Sequence, residues 1–252
     1  MNNLTTLSAL DTEAELDRLA ARYGAAGGLG VQMLTLVGGK AEKLLERLPD
    51  PVRVRLEEVT EKALGLAMRA AQSSRRAVPD QADWVNTAMS TAMGAAGGFG
   101  GLPSALVELP ATTTVLLRII QGVAAENGFD PASENVQFDC IRVFAAAGPL
   151  ASDDGADLGF LTLRVTLTGG AMQRLIATVA PRLATVLGQK LATQTIPVLG
   201  AVAGATTNYL YTGYYREIAH VHFGLRKLAI DADLPQEELA QRLAARMRRR
   251  LR

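Results

Sequence analysis

Four polar side chains that stand in apolar stretches of this 252-residue chain could do chemistry, namely Glu108, Arg118, Arg164 and Asn208. A charged or polar group taken out of water needs a partner, so these residues are predicted to converge between helices. Glu108 with Arg118, or Arg118 with Asn208, is expected within hydrogen-bonding distance. Such a cluster could hold and act on a lipid or another apolar ligand, or it could be a structural network of ion pairs and hydrogen bonds.

A second pattern, Gly38-Gly39-Lys40, resembles the end of a phosphate-binding P-loop. Two positions disagree with that motif, because its first glycine would fall at Leu34 and its serine or threonine at Ala41. No GxSxG nucleophile elbow occurs in the chain. Neither phosphate cradling nor serine-hydrolase chemistry is predicted.

Metal ligation is not predicted either. His220 and His222 are two residues apart, which directs them to opposite sides of a helix, and no cysteine pair or dense acidic cluster accompanies them. The aspartates at positions 153, 154 and 157 are typical of a solvated loop and lack EF-hand spacing. Cys140 lies among apolar residues, where a small buried side chain is expected. The sequence therefore predicts no metal and no cofactor.

Composition narrows the function class. The 26 Lys and Arg residues nearly balance the 25 Asp and Glu residues, which argues against a whole-surface nucleic-acid binder. A single cysteine excludes an intramolecular disulfide framework. The first twenty residues carry acids where a signal peptide would carry a basic segment and an apolar core. A cytoplasmic protein is expected.

The elements that would position the polar residues are predicted to be helices almost throughout. From Pro51 onward apolar residues recur every three or four positions opposite a charged face. Pro110 suits a first helical turn and Gly128 a left-handed stop. Residues 158–167 alternate as a strand would, but the lack of a partner run favours a helix. The fold class is all-α, a compact multi-helix domain with Gly/Pro-rich apolar helical hairpins.

Three regions are predicted within this single domain. Residues 1–50 form an N-terminal helical extension with a Gly-rich apolar block. Residues 51–230 form the main helical domain, and residues 231–252 form a basic C-terminal helix.

Glycines at helical spacing predict close packing. GAAGGLG at residues 24–30 recurs as GAAGGFG at residues 94–100, either by chance or because both segments pack tightly. Small residues four apart, as at Gly94 and Gly98 or at Gly200 and Gly204, allow helix backbones to approach closely.

Three uncharged windows, residues 23–39, 84–107 and 191–215, suggest a setting at or near a membrane. The last two would be long enough to span a hydrocarbon core that needs about 20 residues. Their glycines, prolines and polar residues make insertion marginal. Buried core helices or a shallow re-entrant hairpin are favoured over spanning helices.

Six of the 26 Lys and Arg residues lie in the last eleven positions. Arg242, Arg246 and Arg249 recur at helical spacing, and Leu243, Met247 and Leu251 recur on another side. This pattern is typical of an interfacial helix with its arginines at anionic headgroups, although a solvated tail would be equally basic. The lipid-binding candidates are Arg242, Arg246, Arg248, Arg249, Arg250 and Arg252.

Two blocks of residues, in this order, give the chain a resemblance to the EcsC family, over roughly residues 51–228. The blocks combine a Gly-rich run and Leu-Pro pairs with a downstream segment: Leu102-Pro103, Leu109-Pro110, Leu117-Arg118, Ile120, Gly128, then Ile196-Pro197, Gly200-Ala201, Gly204, Asn208, Tyr209 and Tyr211. That family is named for a protein encoded beside an ABC transporter. The resemblance implies a bacterial, mostly helical protein of undetermined biochemical activity, and it supplies no catalytic residues.

Three hypotheses of function follow. The first and favoured one is a peripheral accessory protein at an anionic membrane surface, on the inner face of the membrane. The second is an enzyme or binding protein for a lipid or other apolar ligand. The third is a scaffold that binds a membrane protein, such as a transporter, through its apolar Gly-rich surface. No catalytic residue is assigned.

Overall fold

The computed structural model describes residues 9–36, 45–77, 83–99, 101–145, 171–193 and 199–250. These residues are almost entirely helical, and the prediction of an all-α fold is confirmed for them. Their helices are α1 (Ala9–Leu36), α2 (Asp50–Val54), α3 (Leu56–Ala77), α4 (Asp83–Phe99), α5 (Gly101–Glu126), α6 (Glu134–Ala145), α7 (Ala171–Thr193), α8 (Leu199–Asp231) and α9 (Gln236–Arg250), with a 3-10 turn at Leu45–Arg47.

Helix α8 is the central helix of the described residues, and most of the other helices pack against it. Its 33 residues extend for about 50 Å, and both α4 and α1 pack along it. Gly94 of α4 lies beside Gly204 and Ser90 beside Asn208, so α4 runs antiparallel to α8. Helix α1 is also antiparallel to α8, because its Leu29 lies against Gly213 and its Leu19 against Gly224.

Helices α5 and α7 cover the opposite side of α8 and enclose the main core. Tyr211 and Tyr215 of α8 are fully buried there, with ring centroids 6.0 Å apart, and Phe144 of α6 lies 5.0 Å from Tyr215. The hydroxyl of Tyr211 donates to the carbonyl oxygen of Val186 in α7 at 3.2 Å. Helix α3 then packs on the outside of α5 and α7.

Two helix boundaries test the sequence analysis. The prediction that Pro110 opens a helix is wrong, because α5 begins at Gly101 and carries Pro110 in its interior. Proline lacks the N–H that would bond one turn back, yet the helix continues, with Thr114 donating its hydroxyl to the Pro110 carbonyl at 2.8 Å. The stop at Gly128 is confirmed by its φ of 83°. The strand-like segment at residues 158–167 lies outside the described residues.

The first and last described helices, α1 and α9, meet at the C-terminal half of α8. Leu243 and Met247 of α9 are buried in a second apolar cluster with Leu16 and Leu19 of α1 and Leu225 of α8. Helices predicted as an N-terminal extension and as a basic C-terminal helix thus pack on the same part of α8. Within the described ranges, no helix combines the length and hydropathy needed to cross a membrane.

Candidate functional site

A buried ion pair joins α5 to α7. Lys190 Nζ lies 3.0 Å from Glu108 Oε2 and 3.3 Å from Oε1. The Lys190 side chain is 0% exposed and that of Glu108 8%. Burial lowers the pKa of Lys190, and the charge of Glu108 and its hydrogen bond to Lys190 oppose that fall. Two side chains of opposite charge are thus held out of water in direct contact with each other.

Helix α8 adds an amide to this pair. Asn208 Nδ2 donates to Glu108 Oε1 at 3.1 Å and to the carbonyl oxygen of Ser90 in α4 at 2.8 Å. One turn further along α8, the Thr212 hydroxyl donates to Ser90 Oγ at 3.0 Å. Asn208 Oδ1 is buried and accepts no hydrogen bond from the described residues. We call Glu108, Lys190 and Asn208 the polar cluster.

Glycines of α4 make room for the polar cluster. A Cβ on Gly97 would lie 3.1 Å from Glu108 Cγ, and a Cβ on Gly94 would lie 2.2 Å from the Gly204 carbonyl oxygen and 2.7 Å from Asn208 Nδ2. The equivalent positions of the first copy of the motif differ, because a Cβ on Gly24 or Gly27 would meet no described atom within 4 Å. Only the second GAAGG segment therefore lies against another helix in this way.

Two of the four predicted site residues meet, Glu108 and Asn208. Arg118 follows Glu108 on the same helix by ten residues, which separates the two backbones by about 15 Å along the axis. The cation beside Glu108 is Lys190, which the sequence analysis did not select. Arg164 lies outside the described residues.

The isolation of Lys190 in an uncharged run of the sequence indicates that it needs a buried partner. Lys190 is the only charged residue between Arg182 and Arg216, as Glu108 is between Asp83 and Arg118. Two isolated charges of opposite sign in separate apolar runs are natural partners, since neither can be buried alone. A search for such pairs would have matched them.

An uncharged surface lies on the other side of α4 and α8. We define it by exposed residues, none of which is charged: residues 24, 25, 27, 28 and 32 of α1, Ala88, Met89, Ala92 and Ala96 of α4, Val107 of α5, and Val202 and Tyr209 of α8. Val107 is 81% exposed, Val202 69% and Tyr209 53%. Val202 and Tyr209 are seven residues apart and share one side of α8, between the helices α1 and α4 that flank it. The charged helix α3 lies elsewhere, beside α7, with its Leu56 near Gly188.

Two of the predicted lipid-binding arginines pair with acidic residues of α1. Arg242 and Arg246 of α9 both pair with Glu13 of α1, and Arg246 Nε also lies 3.1 Å from Asp17 Oδ1. Leu243 and Met247, predicted to lie beneath headgroups, are fully buried. Arg248, Arg249 and Arg250 continue the helix, with Arg252 beyond it outside the described residues.

A comparison with protein families decides the affiliation of the chain. The model of the EcsC protein family matches residues 31–228. The chain belongs to the EcsC family. The matched range contains all three residues of the polar cluster and begins within α1, twenty residues before the predicted start of the main domain. Neither the search of curated proteins nor that of solved structures found a match.

This EcsC family protein has a second charged cluster, around Asp139 of α6. Arg226 Nη1 lies 2.5 Å from Asp139 Oδ2, and His222 Nε2 and Arg142 Nη1 lie 3.4 and 3.5 Å from Oδ1. The Arg226 guanidinium also stacks on Phe129, 4.5 Å from its ring centroid. Burial would raise the pKa of Asp139, but the contact with His222 and the positive charges of Arg226 and Arg142 lower it overall.

The Asp139 cluster predicts a dependence of stability on pH. A carboxyl whose pKa is lower in the folded than in the unfolded chain stabilises the fold above its unfolded pKa, about 3.9. That stabilisation is lost as the pH falls through the folded pKa. We expect Asp139→Asn to lower the free energy of unfolding at neutral pH by about 1–3 kcal/mol, because it leaves partly buried cations without their carboxylate.

Urea unfolding of this EcsC family protein between pH 7 and pH 2 measures both effects. The loss of stability below about pH 5 should be smaller in Asp139→Asn than in the wild type. Asp50→Asn is the control, since Asp50 pairs with Arg53 at an exposed site, where removal of the pair changes stability by at most about 1 kcal/mol. An Asp139→Asn variant with the acid sensitivity of the wild type would contradict the assignment.

Proposed function

We propose that this EcsC family protein is a peripheral membrane accessory protein that contacts the bilayer through its uncharged surface. The observation that supports this is the absence of charge on adjacent exposed segments of α1, α4 and α8, in a chain that is 20% charged overall. Exposed apolar surface without charge marks a contact with lipid or with another protein. The inner face of the membrane is the location expected from the sequence.

The shape of this surface favours a shallow contact. Its exposed residues include small ones, Ala88, Ala92 and Ala96 on α4, beside the larger Val202 and Tyr209 on α8. Small residues let the helices lie flat against an interface, and the tyrosine suits the boundary between headgroups and acyl chains. Contact of this kind needs no helix that spans the bilayer.

Binding to vesicles tests the proposal. We expect the full chain to float with phosphatidylcholine vesicles and Val202→Glu to bind about tenfold more weakly, equivalent to about 1.4 kcal/mol, because the new carboxylate must stay hydrated. Ile230→Glu is the matched control, since Ile230 is also an exposed apolar residue of α8 but lies beside Asp231, away from the uncharged surface.

The outcomes separate the three hypotheses. Equal binding of Val202→Glu and Ile230→Glu would contradict the uncharged surface as the contact. A chain ending at Met247 keeps the buried part of α9 and removes the last four arginines, so loss of binding in this variant alone would assign the contact to the basic tail. Absence of binding to any vesicle would favour a scaffold for a membrane protein.

The second candidate is a binding site for an apolar ligand with a polar head, at the polar cluster. One observation favours it, namely that Asn208 Oδ1 is buried without a donor among the described residues. A buried acceptor of this kind usually has a partner. Mass spectrometry of small molecules released from the denatured protein would identify a retained ligand, and an empty spectrum would leave the cluster as a structural crosslink.

A further inference from the structure

The uncharged surface ends at the same level on two helices. Residues 23–36 of α1 and 199–215 of α8 hold no charge, and the first charged residues beyond them are Arg22 and Arg216. They lie at the same level of α8, because Arg22 Nη1 is 2.9 Å from Oε2 of Glu217, the residue after Arg216. A charged border that includes both arginines and Glu217 therefore crosses from α1 to α8.

Arg216 lies in line with the exposed apolar residues. It follows Tyr209 by seven residues, as Tyr209 follows Val202, so all three share one side of α8. Its Nη2 donates to the Thr87 hydroxyl of α4 at 2.9 Å, which holds the guanidinium at the edge of the uncharged surface. Arginine has a long apolar stem that can lie along such a surface while its head stays among polar groups.

Arg22 is the arginine of this border that can exchange its partner. The Arg22–Glu217 pair is solvent-exposed on the arginine side, and exposed pairs contribute little to stability. Arginine can pair bidentately with a phosphate ester as it can with a carboxylate, and Arg22 approaches Glu217 through Nη1. Exchange of Glu217 for a phosphate is therefore available to Arg22.

We propose that Arg22 and Arg216 bind the phosphate of anionic phospholipids at the border of the uncharged surface. This inference rests on the proposed function, because the arginines reach headgroups only when the surface lies on the bilayer. It assigns lipid preference to a site at the middle of α8, distinct from the arginines of α9. Arg22 lies on α1, nine residues before the part of the chain that matches the EcsC family.

The test compares variants with identical changes in net charge. Binding of the full chain is measured with vesicles of phosphatidylcholine alone and with equimolar phosphatidylcholine and phosphatidylglycerol. We expect Arg22→Gln to bind the anionic vesicles about fivefold more weakly, the equivalent of the ~1 kcal/mol that an arginine contributes near an anionic surface. Glu217→Gln should bind them several-fold more strongly, because it releases Arg22.

The control residues lie on α1, one and two turns before Arg22. Arg18 and Glu15 form the equivalent exposed pair, 2.6 Å apart, so Arg18→Gln and Glu15→Gln repeat both charge changes outside the border. We expect each control to change binding less than twofold. Equal effects of Arg18→Gln and Arg22→Gln, or of Glu15→Gln and Glu217→Gln, would overturn the inference and leave general electrostatic attraction.

Two further results distinguish failure of the proposed function from failure of the lipid-phosphate site. If the wild type binds neither kind of vesicle, the proposed function fails first; if it binds both kinds equally, only the lipid-phosphate site fails. Inorganic phosphate is added at matched ionic strength, and we expect it not to displace the protein. Displacement would assign the arginines to a free anion and overturn the lipid as their partner.

Discussion

Gly94→Ala is expected to destabilise this protein severely, although it adds a single methyl group. The new Cβ would lie 2.2 Å from the carbonyl oxygen of Gly204 and 2.7 Å from its carbonyl carbon. Both atoms belong to the backbone of α8, so no side-chain rotation relieves the contact, and the two helices must separate. Overpacking of a rigid core costs about 1–3 kcal/mol, and we expect the upper end of this range or more.

The repeated motif supplies the control for Gly94. Gly24 occupies the same position in the first GAAGG segment, in the interior of α1, and a Cβ there meets no described atom within 4 Å. Gly24→Ala should therefore stabilise the chain by about 0.5–1 kcal/mol through helix propensity alone. Thermal melting of the two variants gives opposite signs; a shared sign would contradict the close contact of α4 with α8.

Gly94 and Gly24 stand in the same local sequence but have different surroundings in the fold. Periodicity is a local property, and it indicated helices over both segments because both have the same composition. Which glycine faces another backbone depends on a partner more than a hundred residues away in sequence. The sequence GAAGG is compatible with both outcomes, and only the packing of α4 on α8 distinguishes Gly94 from Gly24.

The prolines illustrate the same limit of prediction from local sequence. The sequence predicts a helix start at Pro110, because a missing N–H costs nothing in the first helical turn. In the structure the apolar run before Pro110 is itself helical, and burial of Leu109 and Leu116 in the main core outweighs one absent backbone bond. The glycine stop at Gly128 was predictable, since its left-handed backbone is a local requirement.

The polar cluster was half predictable. Burial of Glu108 and Asn208 followed from their apolar neighbours, but the choice of Arg118 as the cation ignored the helix that both residues share. Ten residues of helix separate the two backbones by about 15 Å, whereas Lys190 approaches from another helix. A lone charge predicts that a partner exists, and the tertiary fold decides which one.

Helix α9 is amphipathic as predicted, and its apolar side packs on α1 and α8. The stripe of Leu243 and Met247 indicated an apolar surface, and α1 and α8 provide it. The acidic residues Glu13 and Asp17 then occupy the place of anionic headgroups for Arg242 and Arg246. A helix that packs on its own protein and one that packs on a membrane share one sequence pattern, so the pattern alone could not separate them.

The second large effect is expected at the ion pair in the polar cluster. Lys190→Met leaves the Glu108 carboxylate buried without its cation, and Glu108→Gln leaves the Lys190 ammonium buried without its anion. Removal of one member of a buried pair costs about 3–5 kcal/mol, so each single variant should lose this much in urea unfolding.

The double variant Glu108→Gln/Lys190→Met decides what the pair contributes. It removes both charges while the glutamine oxygen can still accept from Asn208, and replacement of a whole buried pair by neutral groups is often neutral for stability. We therefore expect the double variant to recover most of the loss, with a coupling of several kcal/mol between the two sites. Lys62→Met with Glu58→Gln is the control, since this exposed pair at 2.5 Å should couple by less than about 1 kcal/mol. If the losses in free energy of unfolding at Glu108 and Lys190 are additive, each side chain stabilises the fold through other neighbours. The buried pair would then not explain why a single charge stands in each of these two uncharged runs.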